Sequence, residues 1–147
     1  MANVEFFQTV KAALDFSLWS DKTPIDDRLD SYSNDQFSWF YCEIGIELRL
    51  VLAVSPSIST AISVQMYDCP ANQISIQETL DAVTELTNIM TGLVQKKYWP
   101  SLDIGLAQVM ELTDSASFTC RNCELSTMIS VDGATLFVGV VKGKAGY

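Results

Sequence analysis

Residues 75–98 read Ser75-Ile76-Gln77-Glu78-Thr79-Leu80-Asp81-Ala82-Val83-Thr84-Glu85-Leu86-Thr87-Asn88-Ile89-Met90-Thr91-Gly92-Leu93-Val94-Gln95-Lys96-Lys97-Tyr98. Ser75 and Glu78 form an S-x-x-E capping box, in which each side chain takes a backbone N–H the helix leaves unpaired. Pro100 disfavours helical geometry at Trp99, so one long helix is predicted from Ser75 to Lys97 or Tyr98. At about 100° per residue, Ile76, Leu80, Val83, Leu86, Met90, Leu93 and Val94 fall within roughly 140°, a core-facing stripe. Asp81, Glu85, Asn88 and Gly92 fall within about 60° of one another on the opposite side. Gly92 is out of place there, because glycine costs about 1 kcal/mol relative to alanine inside a helix. Such a residue suits a helix whose backbone something else must approach closely.

The rest of the chain supplies a sheet for this helix to cover. Residues 3–19 are predicted as an amphipathic helix with Asn3 as its N-cap and Phe6 or Phe7, Val10 and Ala13 or Leu14 on its apolar face. Residues 20–36 are polar and read as a loop with one turn near Asp27 to Leu29. Aromatic residues from Phe37 to Ile44 read as a strand, Gly45 as a hairpin or bulge, and Ile46, Leu48, Leu50 and Leu52 as the apolar side of a half-buried strand. Ser55-Pro56 places a capping hydroxyl and a first-position proline at a second helix, which ends near Cys69-Pro70. Beyond Pro100 the pattern is β: Leu102, Ile104, Leu106, Gln108, Met110 and Leu112 on one face, then Cys123, Leu125, Thr127, Ile129 and Val131 on another. Asp132-Gly133 is a two-residue hairpin signal into Ala134 to Val141. The expectation is one domain over residues 1–147 of α/β (α+β) class, a largely antiparallel sheet packed with a long helix and two further helices.

Composition narrows the chemistry. The 147 residues carry 18 acidic and 9 basic side chains, a formal charge of -9, and no histidine. The charge argues against binding nucleic acid or an anionic membrane, both of which need a cationic face. The missing imidazole excludes Ser/His/Asp and Cys/His triads and any histidine base or zinc ligand. No apolar run approaches the ~18–20 residues of a membrane helix, and a basic, apolar leader is lacking, so a cytoplasmic protein with reduced thiols is expected.

The run Asp81-x-x-x-Glu85-x-x-Asn88-x-x-x-Gly92 resembles the signature of the CheC/CheX/FliY phosphatases of bacterial chemotaxis, where an Asp or Ser, a Glu and an Asn lie on one exposed helix. The order of elements is similar to that family too, and a single copy of the motif is most like CheX. The resemblance implies a substrate, the aspartyl phosphate of a CheY-like response-regulator receiver, and a homodimer; the β-rich C-terminal half, with an edge strand to cover, points to a dimer as well. It implies no cofactor of the chain's own, the Mg²⁺ being held by the receiver. Asn88 would then orient the attacking water, Glu85 would anchor the receiver's lysine, Asp81 would sit at the interface rim, and Gly92 would admit the docked partner. Phosphoryl transfer asks for positioning and charge stabilisation more than covalent chemistry, so an amide and a carboxylate suffice. The chain departs from the family in carrying Ala107 where the family has a proline, and in a shorter segment between Asn88 and that position. The same fold serving as a non-catalytic adaptor for receivers is the alternative.

Cys120-Arg121-Asn122-Cys123 is a C-x-x-C lying between strand-like segments rather than opening a helix. A zinc site would need two further ligands drawn from Cys42, Cys69 or carboxylates. A turn with incidental cysteines is the expected reading.

Overall fold

The computed structural model describes residues 2–14, 22–25, 37–110, 123–131 and 134–142. In chain order the elements are α1 (Ala2–Leu14), β1 (Lys22–Ile25), β2 (Ser38–Ile44), β3 (Leu48–Val54), α2 (Pro56–Tyr67), α3 (Ile76–Tyr98), β4 (Gln108–Val109), β5 (Cys123–Val131) and β6 (Ala134–Lys142). The six strands form one antiparallel sheet in the order β1-β5-β6-β3-β2-β4. This is the α+β layout expected: one sheet, one long helix and two shorter ones.

The capping box is present in full, with Glu78 N–H donating to Ser75 Oγ at 3.1 Å and Ser75 N–H donating to Glu78 Oε1 at 3.0 Å. Pro56 sits in the first turn of α2, and Asp68 ends that helix in the left-handed region at φ 52°. The Ser55 hydroxyl does not cap α2; it pairs with Ser57 Oγ instead.

All three helices lie on one face of the sheet. Phe6, Val10 and Leu14 of α1, Ile58 and Ile62 of α2, and Val83, Leu86, Met90 and Val94 of α3 share a core with Phe40, Leu50, Leu52, Ile129, Leu136, Val138 and Val140. Each such side chain contributes about 1.5–3 kcal/mol on burial. The opposite face of the sheet carries a second buried cluster that includes Phe37, Trp39, Val51, Met128 and Phe137. Arg49, on β3, lies over the Tyr41 ring at 4.1 Å and reaches Glu43 at 3.5 Å.

Several expectations give way. Residues 22–25 form β1, an edge strand pairing with β5, where a loop was predicted; the turn at Asp27 to Leu29 lies outside the described residues. Asn3 falls within α1, which begins at Ala2, rather than at the position before it. β3 is buried on both faces because it lies between β2 and β6 with apolar clusters on either side, and Ile46 belongs to the hairpin turn, 85% exposed. Ile76, expected in the core-facing stripe, is the first residue of α3 and is 84% exposed. Residues 102–107 are irregular and β4 has only two residues, so the long strand predicted there is absent. A bulge between Cys123 and Leu125 reverses the alternation at the start of β5. Leu125 packs on the helix side while Cys123 packs with the second cluster. Asp132 and Gly133 are outside the described residues, yet the flanking pair Val131↔Ala134 leaves only those two residues for the connection.

Candidate functional site

The motif residues sit midway along α3, where that helix passes over β2 and the segment that follows it. Asp81 and Glu85 are exposed. Asp81 accepts a hydrogen bond from Gln77 Nε2 at 2.9 Å, one turn earlier. No described residue bonds or ion-pairs with the Glu85 carboxylate, which leaves it open to a cation brought from outside.

Asn88 is half-buried rather than aligned with the exposed carboxylates. Its Oδ1 accepts the backbone N–H of Ala107 at 2.9 Å and lies 3.8 Å from the Cys42 thiol. The helical wheel could not place it so, because the buried arc of α3 extends past the apolar stripe to Thr87 and Thr91. Those hydroxyls donate to Val83 and Thr87 carbonyls within the helix, at 2.8 and 2.7 Å. A threonine whose hydroxyl is satisfied by its own helix can sit inside like an apolar residue.

The segment after α3 is stitched to the edge of β2. Gly45 N–H donates to Asp103 O at 2.7 Å, Gly105 N–H to Glu43 O at 2.9 Å, and Met110 N–H to Trp39 O at 2.8 Å. Gly45 adopts φ +61°, a conformation open to glycine, and a Cβ there would meet Leu102 at 3.2 Å. These bonds set where Ala107 stands. A proline at 107 would have no N–H to give Asn88, so this departure from the family signature falls at the site itself.

Cys42 is fully buried beneath the site, and its thiol donates to Gly105 O at 3.4 Å. Burial pushes its pKa up, with the Glu43 charge adding to the effect and the Thr91 and Gly105 hydrogen bonds opposing it. Under native conditions iodoacetamide is expected to label Cys69, which is partly exposed, and to leave Cys42 unlabelled until the protein is denatured. Peptide mapping by mass spectrometry reads this; native labelling of Cys42 would mean that the 103–107 segment opens.

Gly92 is half-buried, and a Cβ built on it meets nothing within 4 Å. Nothing among the described residues therefore requires glycine. Gly92→Ala should raise stability by about 1 kcal/mol in urea unfolding, the ordinary helix-propensity gain. An unchanged or lower stability would mean that the position is constrained from within.

An open, mainly apolar hollow of about 540 Å³ lies at the β2–β3 hairpin end, lined by Ile44, Leu48, Trp99, Leu102 and Lys142 among others. None of Asp81, Glu85, Asn88 or Gly92 lines it. Asp81 and Glu85 stand on the exposed surface of α3, an arrangement that suits a macromolecular partner better than a small ligand. Among the described residues no group of three or more His, Cys, Asp or Glu could hold a metal ion, and no helix is long and apolar enough to cross a membrane. Cys120 lies outside the described residues; Cys123 begins β5.

This α+β fold, a single antiparallel sheet with three helices on one face, matches that of solved CheX and CheC-like structures. Among solved structures, CheX from Vibrio vulnificus superposes with TM-score 0.67 at 16% identity, covering 93% of both chains. CheX from Borrelia burgdorferi, solved as a complex with CheY, BeF₃ and Mg²⁺, superposes with TM-score 0.63 at 15% identity, covering 95% of this chain and 96% of that one. A CheC-like protein from Shewanella sp. PV-4 gives TM-score 0.57 at 16% identity, covering 95% and 98%. No protein-family model matches the sequence, and no curated protein matches it. The likeness is one of fold, and the chain is CheX-like in that sense.

Proposed function

We propose that this chain is a phosphatase that hydrolyses the aspartyl phosphate of a CheY-like receiver domain in chemotaxis or a related two-component pathway. The observation that carries the reading is the pairing of an unengaged, exposed carboxylate at Glu85 with a held amide at Asn88, one turn apart on the helix surface of a CheX-like fold. In this reading Glu85 receives the receiver's lysine, and Asn88 reaches the phosphoryl group and its attacking water. Asp81 lies at the rim, and Gly92 lets the partner's backbone close on the helix. The receiver contributes Mg²⁺ and the acyl phosphate; this chain contributes position and charge. A cytoplasmic homodimer is part of the same proposal, and a sedimentation mass equal to one chain would remove that part.

The direct test charges receiver domains from the source organism with acetyl phosphate and follows phosphate release with and without this protein. Acceleration is expected with at least one receiver; none with any receiver sinks the catalytic reading. The non-catalytic adaptor reading has one observation in its favour, the engagement of Asn88 Oδ1 by Ala107. Tight, phosphorylation-dependent binding without turnover would establish it.

A further inference from the structure

We infer that the backbone N–H of Ala107 fixes the Asn88 side-chain amide with its oxygen inward and its NH₂ outward, so that the site offers its partner a hydrogen-bond donor. The orientation stands on the geometry of this chain alone. The nature of the acceptor, a phosphoryl oxygen or the water beside it, rests on the receiver-phosphatase reading.

An amide oxygen has two lone pairs and an amide nitrogen two N–H donors and no acceptor. At Asn88 the oxygen faces the Ala107 N–H at 2.9 Å and the Cys42 thiol at 3.8 Å. Ala107 is buried, 7% exposed, so its N–H has no ready access to water and needs that acceptor. Rotating the amide by half a turn would set NH₂ against the Ala107 N–H, donor facing donor, and leave that buried N–H without an acceptor. No described residue accepts from Nδ2.

The consequence for the reaction is specific. With its oxygen turned inward to Ala107, Asn88 presents N–H groups outward; it holds the attacking water through the water's own lone pair, or holds a phosphoryl oxygen. The new bond from water to phosphorus replaces the bond to the aspartyl oxygen. That oxygen leaves with the electron pair as a carboxylate, and both water protons remain on the phosphate product. Asn88 and Ala107 end the cycle as they began it. Asn88 is the group in contact with the reaction; Ala107 is a positioning residue, acting through it.

Two measurements on the full chain decide this. Amide hydrogen exchange by NMR on the free protein should find the Ala107 N–H protected in wild type and in Asn88→Asp, whose carboxylate still accepts, and at least tenfold faster in Asn88→Ala. Equal exchange in all three overturns the fixed orientation, whatever the activity. Phosphate release from a charged receiver then tests the donor. Asn88→Asp keeps the inward acceptor but has no NH₂, and should lose at least 100-fold in kcat with a smaller change in KM. Wild-type kcat in Asn88→Asp overturns the donor assignment. If wild type itself releases no phosphate, the phosphatase reading fails while the exchange comparison still decides the amide orientation.

Discussion

Replacing Asn88 by alanine is expected to slow phosphate release from an acetyl-phosphate-charged receiver by about 100-fold or more, with the fold intact. The size follows from what one oriented polar group is worth at a phosphoryl or acyl centre, about 2.7–4 kcal/mol of transition-state stabilisation, each 1.36 kcal/mol being tenfold in rate. The structural cost is smaller: Ala107 N–H loses its acceptor, about 1–3 kcal/mol for a buried donor. The far-UV spectrum should therefore be unchanged and the melting temperature only modestly lower. Glu85→Ala should act differently. That carboxylate is exposed and engages nothing among the described residues, so its removal leaves stability alone and raises KM, as expected for a group that anchors a partner's cation. A Glu85→Ala protein with wild-type KM would remove the anchor, and an Asn88→Ala protein with wild-type kcat would remove the catalytic amide.

Gly139→Ala is expected to be the most damaging small substitution in the sheet, costing about 1–3 kcal/mol through overpacking. Gly139 lies in β6 between Val51 of β3 and Ser126 of β5, on the face away from the helices. An added Cβ would stand 2.7 Å from Cys123 Sγ and 2.9 Å from the tip of the Phe137 ring. The ring is fully buried and cannot swing aside cheaply. The thiol is the softer neighbour, so Cys123→Ala combined with Gly139→Ala should recover part of the loss, a non-additivity expected of residues in contact. Thermal unfolding of the two single variants and the double variant reads the coupling; additive effects would mean that Phe137 alone sets the cost.

Cys123 also shows where a linear reading stops. Cys123 and Leu125 are two apart in what reads as an alternating strand, so the period alone puts both on one face. The bulge between them depends on how β5 meets β6, a matter of pairing rather than of local pattern. β1 is illegible in the sequence for a related reason. Four residues with a proline, Lys22–Ile25, carry no strand signal, but the free edge of β5 gives them a partner. Leu102 to Met110 shows the reverse: alternation of the right period, yet glycines at 45 and 105 and bonds to the β2 edge draw the backbone into an irregular path, and Leu106 is left 78% exposed.

What the residues settle locally, they settle well. A capping box, a proline after the helix and a 3.6-residue period are interactions among neighbours in the chain, so α3 and its exposed carboxylates could be read from residues 75–100 alone. Asn88 could be picked out in that way as a candidate, but not given its orientation. Its amide is held by the N–H of Ala107, 19 residues later, and lies against the thiol of Cys42, 46 residues earlier. A backbone N–H has no side-chain signature, and a buried cysteine reads as one more apolar residue. Which end of the Asn88 amide faces outward is therefore decided by the docking of three separate segments, which only the folded chain brings together.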